Sequence, residues 1–149
     1  MKSIFLSIKA ILLTFFVAAV PTSQLLASDY PDQKVVYHIN YDDPKRISAT
    51  FTNIANHINA LGEDHISVKA IIHGPAIKYF IEASDDETKQ TTIDSLRLND
   101  VHFVICGNSL DGFQVSYEEL YEVEAEDVVQ AGLPEIVYLQ QQGYFYVRP

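Results

Sequence analysis

Residues 101–110 read VHFVICGNSL. Val101, Phe103, Val104 and Ile105 make a nearly continuous apolar run, interrupted by His102 and closed by Cys106. A strand with one face on water alternates apolar and polar residues. A near-continuous run fits a strand covered on both faces, as in a parallel sheet packed between helices. Gly107, Asn108 and Ser109 then punctuate the chain and open a turn that can start a helix. Cys106 is the single cysteine of the 149 residues, so the same stretch raises the fold question and the functional one.

Working outward, strand and helix patterns alternate. KVVYHINY (34–41) is rich in β-branched and aromatic residues and reads as a strand. Asp42, Asp43 and Pro44 end it and suit a helix start. Ile47, Phe51, Ile54, Ala55, Ile58 and Leu61 then lie on one helical face, with Gly62 as a C-terminal cap. ISVKAIIH (66–73) is a second strand, closed by Gly74 and Pro75, and PAIKYFIEA from Pro75 is a short helix. Thr88–Leu98 is a further helix with Ile93, Leu96 and Leu98 placed inward. SYEELYE (116–122) is a helical turn, DVVQA (127–131) a short strand, Pro134 opens a helix stopped by Gly143, and YFYV (144–147) is the fifth strand. The expected architecture is α/β: a parallel sheet of about five strands with helices on both faces, a three-layer, flavodoxin-like sandwich.

The first 27 residues read differently. Lys2 and Lys9 precede and flank an apolar run, Ala10–Val20, followed by polar Pro21–Gln24 and the small Ala27. That is the layout of a secretory signal peptide. The run covers 11 residues, short of the roughly 20 a spanning helix needs, so cleavage after Ala27 is expected rather than an uncleaved anchor. The mature domain is then 28–149, soluble and periplasmic. The net charge of −10 becomes −12 on cleavage, 8 basic against 20 acidic residues. Such a chain repels nucleic acid and, once its signal is removed, anionic membrane surfaces. The acids at Asp85–Glu87 and between Glu118 and Asp127 lack the alternation and turn glycine of a calcium loop and read as solvated faces.

In sheets of this type ligands bind at the carboxyl ends of the strands. Those ends carry Asn40 on the first strand, His73 and Gly74 on the second, and Cys106, Gly107 and Asn108 on the third. No G-x-G-x-x-G, P-loop lysine or G-x-S-x-G is present, and Asp42–Asp43 would repel a phosphate, so no nucleotide or flavin cofactor is expected. His38, His73 and His102 lie on strands, yet no H-x-x-x-H or C-x-x-C spacing supports a metal. His38 and His102 read as satisfied strand histidines, His57 and His65 as solvated. Two readings of Cys106 stand side by side. As a thiolate, it would be stabilised by backbone N–H groups of the following turn, with Gly107 keeping bulk off the sulfur and His73 serving as base or partner. As an inert residue, it would fill a core position. An exported thiol without a disulfide partner is exposed to oxidation, which favours the first.

VICGNSL, then VVQAG, then PEIVYLQQQGYFYVRP, with VVYHINYDD, NIANHINALG and IIHGPAIKYF before them, resembles the DsrE/DsrF-like family in its branch of small exported proteins. The likeness spans Lys34–Pro149. It implies an α/β sandwich, assembly as a trimer or hexamer, and sulfur relay in which a cysteine carries sulfane sulfur as a persulfide to a thiol-bearing donor or acceptor protein. By position Cys106 is that cysteine. The glycine and asparagine after it depart from the relay members, as does the export signal, and no second cysteine could resolve a persulfide within the chain. The other readings are a non-catalytic module binding a small ligand or metal through Asn40, His73 and Asn108, and a structural oligomer with an inert thiol, its terminal aromatics Tyr144–Tyr146 packed against a neighbour or within the monomer.

Overall fold

The structure, a computed structural model, describes residues 30–149. The expected export signal at 1–27 lies outside the described residues. Among those described, no helix is long and apolar enough to cross a membrane.

VHFVIC forms the interior strand β3 (Val101–Cys106), and the rest of the sheet is β1 (Gln33–Ile39), β2 (Ile66–Ile72), β4 (Val128–Val129) and β5 (Phe145–Val147). The helices are α1 (Pro44–Leu61), α2 (Ile77–Ala83), α3 (Glu87–Leu98), α4 (Gly107–Phe113) and α5 (Gly132–Gln141). Local chemistry sets most boundaries. The Asp43 carboxylate accepts from the amides of Lys45 and Arg46 at 2.9 and 3.3 Å and caps α1, with Pro44 in its first turn. At the other end Gly62 adopts φ +93° while its N–H reaches Ile58 O at 2.8 Å. Asp86 caps α3 in the same way.

Four elements depart from the expected pattern. Leu98 is 84% exposed; it lies two residues, about 200°, round the helix from buried Leu96. The fourth strand keeps only Val128 and Val129, because Asp127 belongs to a 3₁₀ turn and its carboxylate is held by Arg97 Nη2 at 3.1 Å. Gly107–Phe113 completes a helix where only a turn was expected to begin one. The last helix starts at Gly132, placing Pro134 inside its first turn.

All strand pairs are parallel, in the order β4-β3-β2-β1-β5. The three layers are those expected, with a strand order of their own rather than the 2-1-3-4-5 order of flavodoxin. The order explains where the helices lie. From β1 to β4 each strand is added on the same side of the last, so right-handed crossovers fall on one face. Side chains of α1 to α4 accordingly share one large core with Tyr37, Ile39, Ala70, Ile72, Phe103 and Ile105. The step from β4 to β5 runs back across the sheet, and the same handedness throws α5 onto the opposite face. There Ile136 and Leu139 pack on Val36 and Ile71.

Phe103 centres the larger core, edge-on to Phe51 at 5.6 Å and to Phe80 at 5.2 Å between ring centroids. Phe103→Ala is expected to cost about 3–5 kcal/mol of stability, whereas Leu98→Ala should change it by no more than about 0.5 kcal/mol. Urea denaturation of the two variants against the parent checks both.

Candidate functional site

The chain leaves β1, β2 and β3 toward the α1–α4 face but leaves β4 toward the α5 face. The direction therefore switches between β3 and β4, and a crevice opens at the carboxyl ends of the strands at such a point. A cleft of about 390 Å³ lies there, lined by His73, Cys106, Asn108, Ser109 and the segment Ala131–Pro134. Cys106 ends β3 as the residue capping α4, is 6% exposed and lies at the cleft wall.

Side-chain alternation builds the rest. Val36 and Ile71 face α5, so His38 and His73, two residues further along each strand, face the same way. Val104 packs on that same cluster, which puts Cys106 in the row. The β2–β3 register pairs Ile72 with Ile105, and one step on brings His73 beside Cys106. The stretches VYH, IIH and VIC thus end three neighbouring strands with an apolar residue under α5 and a chemical one beyond it. Gly132, the first residue of α5, closes the row. A Cβ there would lie 3.1 Å from Ile71 Cγ2, 3.3 Å from His73 Cβ and 3.4 Å from Cys106 Cβ. Only glycine lets the helix start this close to both strand ends. Gly132 and Ser109 are site residues that the sequence does not mark, apart from the Ala-Gly step of VVQAG, whose role depends on a contact between distant segments.

The other expected site residues are distributed unevenly. Asn108 is exposed and lines the cleft, with its N–H on Gln130 O at 3.1 Å. Gly74, at φ +55°, donates its N–H to Ser109 Oγ at 2.7 Å, tying the β2 end to α4. At Gly107 a Cβ would meet Val129 O at 3.1 Å, so its smallness admits the β4 backbone. Asn40 does not line the cleft; its Oδ1 accepts from Arg148 Nη2 at 2.7 Å. The thiol of Cys106 accepts no capping amide of α4, so the expected stabilisation from that turn is not made.

His73 meets His38 across the β1–β2 pair. Its Nε2 lies 2.5 Å from His38 Nε2, and His38 Nδ1 lies 2.7 Å from the Tyr146 hydroxyl of β5. His38 is buried. Burial first, then the neighbouring His73 and Arg148, lowers its pKa to about 4. Burial and Arg148 also lower that of His73. His57 is not solvated: its Nε2–H donates to Gln33 Oε1 at 2.9 Å, and Nδ1 accepts from the Tyr37 hydroxyl at 2.8 Å. Burial lowers its pKa too. His65 is exposed and sits 2.8 Å from Asp32, while His102 is exposed near Asp100 at 3.5 Å. Among the described residues no three His, Cys, Asp or Glu side chains converge as metal ligands. The two Nε2 atoms, 2.5 Å apart, are in hydrogen-bond contact with one another.

The C-terminal segment is fastened over this edge. Arg46 stacks on the Tyr41 ring at 3.8 Å and Arg148 lies 5.3 Å from it. Arg46 Nη2 donates to Pro149 O at 3.0 Å, and the Tyr41 hydroxyl donates to the same oxygen. These contacts hold the three-residue β5, and with it Tyr146, against β1.

Two outcomes follow from this geometry. Histidines whose folded pKa is depressed bind fewer protons in the native than in the unfolded state. Their stabilisation is present above the unfolded value near 6.5 and is lost as pH falls from there toward 4. Tm should therefore drop across that window, and His38→Gln should flatten the slope. Gly132→Val should lower Tm and slow alkylation of Cys106 in the native state, because its side chain must displace Ile71, His73 or Cys106; intact-mass time courses report the rate.

No protein of curated function matches the chain. Among solved structures it is similar to MTH1491, a protein of unknown function from Methanobacterium thermoautotrophicum, with 27% identity and a TM-score of 0.69 over 79% of this chain and 100% of that one. The model of the DsrE/DsrF-like family matches residues 33–149, the whole of the sheet and every helix described above. The chain belongs to the DsrE/DsrF-like family.

Proposed function

We propose that this is an exported, periplasmic sulfur carrier that holds sulfane sulfur as a persulfide on Cys106 and works as a homo-oligomer with a thiol-bearing partner. The observation that carries the reading is the position of Cys106: the lone thiol lines the crevice at the switch point rather than the interior of either core. A cysteine kept only to fill space would gain nothing from that place. Family membership supports the sulfur chemistry, and the lysine-flanked apolar run at 1–27 supports export.

The transfer is redox-neutral. The Cys106 thiolate attacks the outer sulfur of a donor persulfide, a Cys106–sulfur bond forms, and the donor's S–S bond breaks. The donor leaves as a thiolate and takes up a proton. An acceptor thiolate then repeats the attack on the outer sulfur carried by Cys106. With a single cysteine the chain cannot expel the sulfur by forming an internal disulfide, which fits a carrier that hands it intact to a partner. The half-buried His73 forms a wall of the cleft beside the sulfur.

Incubation with a small-molecule persulfide donor should add the mass of one sulfur to the wild type and none to Cys106→Ser. Equal gain in both, or gain in neither, refutes the assignment. A ligand co-purifying equally with both proteins would instead favour the non-catalytic binding module.

A further inference from the structure

Tyr146, His38 and His73 form one hydrogen-bonded line from the outer edge strand to the cleft. The His38 and His73 ring centroids are 4.7 Å apart with planes inclined by 19°, and their Nε2 atoms are 2.5 Å apart. The centroid distance exceeds the nitrogen distance by 2.2 Å, which is two ring radii laid end to end. The rings therefore meet nitrogen to nitrogen rather than face to face. Neither ring is hydrogen-bonded or ion-paired to a carboxylate among the described residues, and the charged group that acts on both is the Arg148 guanidinium. Both rings are held neutral: burial disfavours an imidazolium, Arg148 repels one, and no carboxylate is at hand to compensate it.

A neutral imidazole carries one N–H and one bare nitrogen. The direction of a single bond then sets every proton along the line. At its outer end Tyr146 is 44% exposed, and among the described residues its hydroxyl has no hydrogen-bond partner besides His38. A phenol O–H donates to a bare imidazole nitrogen more strongly than its oxygen accepts from a ring N–H, the phenol being the stronger acid. With Tyr146 donating to His38 Nδ1, His38 carries its proton on Nε2 and donates to His73 Nε2. His73 is left with its proton on Nδ1. Among the described residues that atom has no partner, yet it is not sealed: the one fully buried side-chain nitrogen or oxygen without a partner among them is Arg97 Nε. His73 lines the cleft beside Cys106.

We propose that Tyr146 and His38 are positioning residues that fix His73 as its neutral Nδ1–H tautomer, making it a hydrogen-bond donor to the sulfur anion borne by Cys106. This rests on Cys106 being the sulfur-bearing residue. It assigns His73 the role of anion stabiliser; acting as a base would require the opposite proton arrangement along the whole line. Neutral N–H donation suits both anions that the cleft would hold, the resting thiolate and the loaded persulfide, without consuming a proton in either.

The test is two-bond ¹H–¹⁵N correlation NMR of ¹⁵N-histidine-labelled protein at pH 7.5, with Tyr146→Phe as the comparison. In the wild type His73 should show the Nδ1–H pattern and His38 the Nε2–H pattern. Tyr146→Phe keeps the ring and removes the donor, so His73 should become a tautomer mixture and the pH midpoint of Cys106 alkylation should move upward. An Nε2–H or imidazolium His73 in the wild type, an unchanged tautomer in Tyr146→Phe, or an unmoved midpoint overturns the proposal. The wild-type spectrum decides the tautomer even if the variant fails to fold. It involves no sulfur transfer, so a protein that shows the expected tautomers but never loads sulfur refutes the carrier assignment alone, and one that loads sulfur with the wrong tautomers refutes this inference alone.

Discussion

The structure depends on the handedness of its crossovers. Four parallel strands laid down in one direction must send their connecting helices to one face, and the single step back from β4 to β5 must send α5 to the other. That one reversal creates the crevice between β3 and β4, brings the start of α5 over the ends of β2 and β3, and decides that Cys106 lies at a cleft wall. A sheet of the same strands with β5 added beyond β4 would bury or expose the thiol, but would not give it a walled site.

The reversal also makes the two faces unequal. The α1–α4 face carries a large core with an aromatic centre, Phe51, Phe80 and Phe103. The α5 face has a small one, four buried residues with Val104 and Tyr144 at its margin. Stability is concentrated on the first face, which leaves the second free to carry polar residues in a half-buried row. His38, His73 and Cys106 occupy that row where it runs out from under α5. Buried polar groups cost several kcal/mol when unpaired, and here the histidines satisfy one another and Tyr146 rather than a counter-ion. A neutral hydrogen-bonded line is the arrangement compatible with a nearby guanidinium and no carboxylate.

The strand that supplies Tyr146 is the least self-sufficient element. β5 pairs with β1 over three residues, and its two aromatics are largely exposed. Its attachment comes from beyond the ladder: Arg46 and Arg148 around Tyr41, Arg148 on Asn40, and Pro149 O held by Arg46 and Tyr41. Asn40 thereby reaches the site indirectly. It does not line the Cys106 cleft, but it anchors the segment whose hydroxyl orients His38.

By itself the sequence determined the alternation of strands and helices, because periodicity, capping aspartates and turn glycines are local and act within a few residues. VHFVIC declared a strand covered on both faces, and Cys106 at its end with His73 at the end of its neighbour followed from strand ends alone. The sequence did not determine the strand order, the shortness of β4 or the outward Leu98 beside its buried helix neighbour. It also left unread the roles of Gly107, Gly132 and His38. These were decided by the tertiary structure, for one reason: each depends on which distant segment arrives alongside. A glycine that admits a helix start and one that merely turns the chain look identical in one dimension. A buried histidine becomes part of a site only when strands far apart in the chain bring a second histidine and a tyrosine to its two nitrogens.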